Sequence, residues 1–147
     1  MAQRITHIIF ALALSYYILG NFAFWLDIFL LGFSSFLGAV LPDLDIKFGH
    51  RALMHNIFVP VFTFIPLTFA LKHVFGTPNF FVISVSYLIG FLSHILLDIL
   101  TGGVSLFYPI ACKRFTLFKI KYDNPVFNFT IIFLALILWY LKIKALF

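Results

Sequence analysis

The sequence predicts an all-α fold, a multi-pass transmembrane helix bundle that forms a single membrane-embedded domain over residues 1–147. Hydrophobic residues make up 63% of the chain and charged residues only 10%, which leaves too few polar side chains to cover a soluble core. The mean hydropathy of +1.11 agrees with this. The apolar residues fall into four or five runs, each long enough to cross about 30 Å of hydrocarbon as a helix.

Proline, glycine and charged residues separate the apolar runs. Pro42 ends the second run, Gly102 and Gly103 end the fourth, and Pro60 and Pro66 predict a kink in the third. The first run is short. We interpret it as a retained helix rather than a signal peptide, because apolar sequence continues beyond the candidate cleavage site. The predicted spans are residues 5–19, 24–41, 53–71, 80–100 and 125–141.

The basic residues predict the orientation of the bundle. With five spans, the N-terminus and the loops at 42–52 and 101–124 share one side of the membrane. Seven of the ten Lys and Arg residues lie on that side and three on the other, so the positive-inside rule places it in the cytoplasm. Since these connectors explain the net charge of +5, no specific nucleic-acid binding is expected. The single cysteine, Cys112, excludes an internal disulfide bond.

The rare ionisable residues are unevenly distributed. Four of the five histidines and three of the five aspartates fall toward the predicted cytoplasmic face. Ionisable groups near a bilayer are costly and usually functional. His94 and Asp98 are four residues apart, so on a helix they project from one face. The residues that share this face are His7, Asp43, Asp45, His50, His55, His94 and Asp98.

Imidazole and carboxylate groups are the usual ligands of catalytic zinc and similar divalent ions. Seven candidates exceed one tetrahedral shell, so they predict either two metal sites or one site with additional groups that orient the histidines. Two ions a few ångströms apart suit phosphoester hydrolysis. Arg51 is a candidate for binding a phosphate oxygen. Asp45 or Asp98, whichever is not a ligand, is the candidate general base.

Simpler interpretations stay open. Asp43 and Asp45 follow a proline at a helix end, where aspartate is often a turn residue. Arg51 is equally suited to be a positive-inside charge, and His94 and Asp98 to form a structural hydrogen bond.

Four motifs in order along the chain resemble the YdjM-like family of inner-membrane, metal-dependent hydrolases. They are TH at 6–7, LPDLD at 41–45, HRALMH at 50–55 and SHILLDILTGGVSLFYP at 93–109. The resemblance implies that His7, Asp43, His50, His55, His94 and Asp98 are metal ligands, with Asp45 a ligand or a group that orients one. The family is distantly similar to zinc-dependent phospholipases C, which implies a zinc or other divalent cofactor of one to three ions. The chain departs from the family pattern at Ala52, Met54 and Asn56.

The leading hypothesis is therefore a membrane-bound, metal-dependent hydrolase of a phosphodiester or phospholipid. One alternative is a metal or proton transporter, which requires ionisable groups along a path through the membrane, and the far half of each span has few of these. The other is a structural membrane protein whose His/Asp cluster ties helix ends together without catalysis.

Overall fold

The computed structural model describes residues 3–20, 25–47, 53–75 and 79–146. These residues form five α-helices and one 3₁₀ helix, and no strand beyond an isolated bridge between Val104 and Phe115. The predicted all-helical class is confirmed. The α-helices are α1 (Arg4–Leu19), α2 (Trp25–Val40), α3 (Phe58–Phe75), α4 (Asn79–Thr101) and α5 (Pro125–Leu146), and the 3₁₀ helix is Leu41–Lys47.

Within the described residues, three helical segments are long and apolar enough to cross a membrane: Trp25–Leu44, Asn79–Thr101 and Pro125–Ala145. The helices α1 and α3 are shorter, at 16 and 18 residues. At 1.5 Å per residue they measure about 24 and 27 Å, less than the ~30 Å hydrocarbon thickness. A membrane protein with transmembrane helices is thus supported, whereas the predicted four or five spans are not confirmed.

The central helix is α4, which packs against α1, α2 and α3, while α5 packs on α1. The α2–α4 contact depends on two glycines. A Cβ atom at Gly90 would lie 2.2 Å from the backbone oxygen of Ser35, and one at Gly38 would lie 2.2 Å from that of Tyr87. Only glycine lets the two backbones approach so closely, as at many helix–helix contacts in membranes.

The buried core follows α4. Tyr87, Phe91 and Ile95 form an apolar cluster with Val104 from the loop after the helix. Large apolar side chains on the outward faces are exposed instead, among them Phe69 at 72%. In a lipid environment such a surface costs nothing, because the solvent there is itself apolar.

Two helix ends position the polar residues. The helix α3 begins at Phe58 and not at residue 53 as predicted, because the Asn56 side chain accepts hydrogen bonds from the backbone nitrogens of Phe58 and Val59 at 2.9 and 3.0 Å, as an N-cap does. The predicted stop of α4 is confirmed. Gly103 has φ +75°, and its N–H donates to the backbone oxygen of Asp98 at 2.8 Å, a common helix C-terminus.

Candidate metal centre

Five predicted site residues meet at one end of the bundle. His7 lies in the first turns of α1, Asp43 in the 3₁₀ helix after α2, and His94 and Asp98 on one face of α4. His55 lies in the bends that precede α3. The side chains of all five are at least 93% buried, since the most exposed, Asp43, has 7% of its surface accessible. Segments far apart in sequence therefore converge in one buried polar cluster.

Asp98 lies at the centre of this cluster. Its Oδ1 is 3.3 Å from Nε2 of His7, and its Oδ2 is 3.2 Å from Nε2 of His55 and 3.6 Å from Nε2 of His94. Nε2 of His94 is also 3.7 Å from Oδ1 of Asp43. The rings of His7 and His94 are stacked with their centroids 4.0 Å apart. Three imidazole nitrogens thus lie 3.2 to 3.6 Å from the Asp98 carboxylate, and that of His94 also lies near Asp43.

Most of these polar atoms make no hydrogen bond to any residue in the described part of the chain. They are both ring nitrogens of His7, Nε2 of His94, Oδ1 of Asp43 and both carboxylate oxygens of Asp98. A buried polar atom without a hydrogen bond costs about 1–3 kcal/mol, so several in contact are unusual in a folded protein. A cation between them would satisfy one ring nitrogen of each histidine together with the carboxylate oxygens that face it.

One histidine is already oriented for this. Nδ1 of His94 lies 2.6 Å from the backbone oxygen of Ala39. A carbonyl oxygen can only accept, so Nδ1 carries the proton and donates it. Nε2 of His94 then presents its lone pair to the cluster. A hydrogen bond of this kind is the usual means of orienting a metal-binding histidine.

The distances fit a metal shell better than a hydrogen-bond network. Four ligands about 2.1 Å from a zinc ion, arranged tetrahedrally, are about 3.4 Å from one another. The observed separations are 3.2 to 3.7 Å, whereas hydrogen bonds between a charged imidazole and a carboxylate are about 2.7–2.9 Å long. Two triads have ligand atoms within 4.8 Å of one another: His7 with His94 and Asp98, and Asp43 with His55 and His94.

Both triads contain His94, so only one of them at a time can bind an ion through this residue. Nδ1 of His94 is committed to Ala39, which leaves Nε2 as its sole ligand atom. The described residues can therefore hold a metal ion, and their donor atoms suit a divalent one.

Two predicted catalytic residues and one predicted ligand lie outside this description. His50 and Arg51 are outside the described residues, and the side chain of Asp45 is as well. The roles predicted for these three remain predictions.

A basic residue that was predicted only as a positive-inside charge borders the cluster. Nε of Arg4 lies 3.5 Å from Oδ2 of Asp43, and the Arg4 side chain is 76% exposed. Arg4 and Asp43 also line a small pocket of about 100 Å³. The spacing offers a signal that could have revealed this, because Arg4 and His7 are three residues apart on one helix and so share a face.

Asn128 is a second residue that the motifs did not reveal. Its Oδ1 accepts hydrogen bonds from Oγ1 of Thr6 at 2.8 Å and from the backbone nitrogen of Gln3 at 3.1 Å. It is buried, and it ties the start of α5 to the turn of α1 that carries His7. A lone amide in an otherwise apolar span is a signal that could have been noticed.

A family model described as YdjM inner membrane protein matches residues 1–146 of the chain. No curated protein matches the sequence. No solved structure matches it either.

Proposed function

Because the chain belongs to the YdjM inner membrane protein family, and because ionisable groups buried in a membrane protein usually have a function, we propose that the His/Asp cluster is the metal centre of a membrane-bound hydrolase. The observation that carries the proposal is the set of four His–Asp separations between 3.2 and 3.7 Å among buried atoms. These separations match the distances between ligands on one ion. The substrate class we propose is a phosphoester, including one in a lipid headgroup.

The described residues have distinct roles in this proposal. His7, His55 and His94 supply neutral imidazoles, and Asp43 and Asp98 supply carboxylates. Zinc is the favoured ion, since mixed nitrogen and oxygen donors in a compact shell suit it. When bound, a divalent ion supplies the positive charge that stabilises the transition state of phosphoester hydrolysis.

Five donors exceed one tetrahedral shell, so one of the two carboxylates is available for another task. Asp98 touches all three histidines, which favours Asp98 as the ligand. Asp43 is the more peripheral of the two and contacts the exposed Arg4. We propose that Asp43 or Asp45 accepts a proton from the attacking water, in the role of general base.

Arg4 has the position of a substrate-binding residue. Its guanidinium group is held beside the cluster by Asp43, while most of the side chain remains open to solvent. The planar guanidinium group binds phosphate oxygens in pairs. We propose that Arg4 binds a phosphate oxygen of the substrate. Arg51, which precedes α3 in the sequence, is predicted to have the same role. The orientation with the site toward the cytoplasm rests on the distribution of basic residues.

A purely structural cluster is a weaker explanation of the same contacts. Residues that tie helix ends together should be hydrogen-bonded, because otherwise their burial costs stability. Both ring nitrogens of His7 and both carboxylate oxygens of Asp98 make no hydrogen bond within the described residues. The transporter alternative is also weaker, because the described polar side chains buried deeper in the bundle, such as Ser15, Ser35 and Ser86, are hydroxyls and not ionisable groups.

The decisive experiment is the metal content of detergent-purified protein by elemental mass spectrometry. We expect about one equivalent of zinc or a similar ion in the wild type, because both triads depend on Nε2 of His94, which can bind one ion. The double variant His94→Ala/Asp98→Ala should contain almost none. The matched control is His73→Ala, which removes an exposed histidine at the other end of the bundle and should leave the metal content unchanged.

Activity is then measured with the metal-loaded protein on bis(p-nitrophenyl) phosphate and on phospholipids in micelles. Loss of turnover in a folded His94→Ala variant supports the hydrolase. A wild type that folds but binds no metal even after reconstitution would sink the proposal in favour of the structural tie. Metal binding without any phosphoester turnover would leave the transporter as the better account.

A further inference from the structure

An apolar cleft runs along the bundle between α2 and α3. Both helices pack on α4, yet among the described residues no Cα atom of α2 lies within 8 Å of a Cα atom of α3. The gap between them has a volume of about 240 Å³. We call it the α2–α3 cleft. Its walls and floor include Leu30 and Leu37 from α2, Leu67 and Leu71 from α3, and Ile83 and Tyr87 from α4.

The chemistry of this cleft determines what can fill it. The side chains that line the cleft are hydrocarbon apart from the hydroxyls of Tyr87 and Ser34. The Tyr87 hydroxyl is already hydrogen-bonded to Oγ1 of Thr63 at 2.8 Å, and the Ser34 hydroxyl donates to the backbone oxygen of Leu30 at 2.6 Å. Water therefore finds almost no partners there, and apolar cavities exclude it. For a chain that lies in a bilayer, the available occupant is hydrocarbon from a lipid.

The cleft lies farther along the bundle than the His/Asp cluster, as the acyl chain of a lipid lies deeper in a bilayer than its headgroup. Along α4, the floor of the cleft runs from Ile83 to Tyr87, and His94 follows on the same helix. The rise from Ile83 to His94 is about 16 Å, close to the ~15 Å depth of one leaflet of hydrocarbon. Leu41 and Val59, both partly buried, extend the apolar packing toward the cluster.

We propose that the α2–α3 cleft binds one hydrocarbon chain of a phosphate-bearing lipid, and that this lipid presents its phosphate to the His/Asp cluster. The inference rests on the proposed function and names its substrate class, a membrane phospholipid that enters sideways between α2 and α3. Charge complementarity supports the choice of an anionic lipid, because Arg4 is exposed beside the cluster and Lys113 and Arg114 are exposed in the connector after α4.

The test is photo-crosslinking in proteoliposomes of phosphatidylethanolamine and phosphatidylglycerol. Two phosphatidic acid probes carry a diazirine on one acyl chain, either near the terminal carbon or near the ester. Peptide mass spectrometry should place the first label around Leu71 and Ile83 and the second around Leu41 and Val59. Labels that spread evenly over the exposed helix faces, or that show no dependence on depth, would overturn the inference.

Two variants test whether the labelled acyl chain binds in the α2–α3 cleft. Leu67→Trp fills the cleft and should remove most of the labelling. Its matched control is Phe69→Trp on the same helix, where the side chain is 72% exposed and the larger ring meets only lipid, so labelling should persist. Equal labelling of both variants contradicts the proposed path. Metal content is measured on the same samples, so that a misfolded variant is recognised by its loss of metal.

A diacylglycerol probe with the same diazirine separates the cleft from the metal centre. If the cluster holds the phosphate, phosphatidic acid labels the cleft more strongly than diacylglycerol in metal-loaded protein, and a chelator removes the difference. Equal labelling by the two probes in metal-loaded protein overturns the link between cleft and cluster, while the metal content and turnover on the soluble phosphodiester still stand for the proposed function. Absence of metal from the wild type would contradict the proposed function itself.

Discussion

Replacing Asn128 by alanine should weaken both the fold and the metal centre. The Asn128 side chain accepts hydrogen bonds from Thr6 and from the backbone of Gln3. Its amide nitrogen donates to the backbone oxygens of Tyr122 and Asn124, both at 2.9 Å. One buried side chain thus joins the start of α1, the start of α5 and the connector before α5. Alanine removes all four bonds, although the Asn124 oxygen keeps the hydrogen bond that it accepts from the backbone nitrogen of residue 128 at 3.1 Å.

The size of the effect follows from these four contacts. A hydrogen bond contributes about 0.5–1.5 kcal/mol net, and buried partners left unpaired cost more than those that water can reach. We expect the free energy of unfolding to fall by about 2–4 kcal/mol. For a chain of this size the melting temperature should fall by about 5–15 °C. Zinc affinity should fall about tenfold or more, because the proposed ligand His7 loses the contact that holds its helix turn in place.

Thermal unfolding in detergent and metal titration measure the two effects. The matched control is Thr130→Ala on the same helix. The Thr130 hydroxyl is exposed and bonds only within its own helix, to Val126, so its loss should change stability by less than about 0.5 kcal/mol. If Asn128→Ala melts and binds zinc as the wild type does, the hydrogen bonds do not position His7 and the reasoning fails.

Three further outcomes are expected. Gly90→Ala should destabilise the protein by about 1–3 kcal/mol, because its methyl group would meet the Ser35 backbone oxygen. Gly32→Ala, whose nearest contact would be 3.9 Å away, should not, and equal thermal unfolding of the two would refute the close α2–α4 contact. Arg4→Gln should raise zinc affinity by up to about fivefold, since it removes a positive charge beside Asp43, and weaker zinc binding in a titration would contradict this. Removal of the metal with a chelator should lower the melting temperature of the wild type but not that of His94→Ala/Asp98→Ala, and calorimetry showing no difference between them would exclude a bound ion.

Much of the fold could be predicted because it depends on local composition. The apolar runs around residues 80–100 and 125–141 correspond to α4 and α5, and the glycines after Thr101 end α4 as expected. Where prediction failed, a polar side chain had overridden the apolar pattern. Asn56 caps α3 and delays its start to Phe58, although the apolar sequence begins earlier. The extent of each span was also beyond reach, because a helix of 16 residues and one of 23 have the same periodicity.

The candidate site, like the fold, could be predicted only in part. His94 and Asp98 could be paired from their spacing, since four residues bring side chains onto one face of any α-helix. The types of candidate ligand group, imidazole and carboxylate at the end of an apolar bundle, could also be predicted. Arg4 and Asn128 were missed because each acts through a contact with a residue more than 35 positions away. The local signals that mark them, a helical spacing and a lone amide, do not identify that distant partner.

The amino-acid sequence by itself determined that this protein is helical and membrane-embedded, that its ionisable groups gather toward one end, and that they are of the types that bind divalent ions. Periodicity and composition suffice for these, because they act within a single helix or on the average environment of the chain. Only the tertiary structure decided that Asp98 is the centre of the cluster, that His94 can serve one ion, and that α2 and α3 leave an apolar cleft between them. These depend on how closely the helices approach at Gly38 and Gly90, and that distance is set by packing between segments that are remote in sequence.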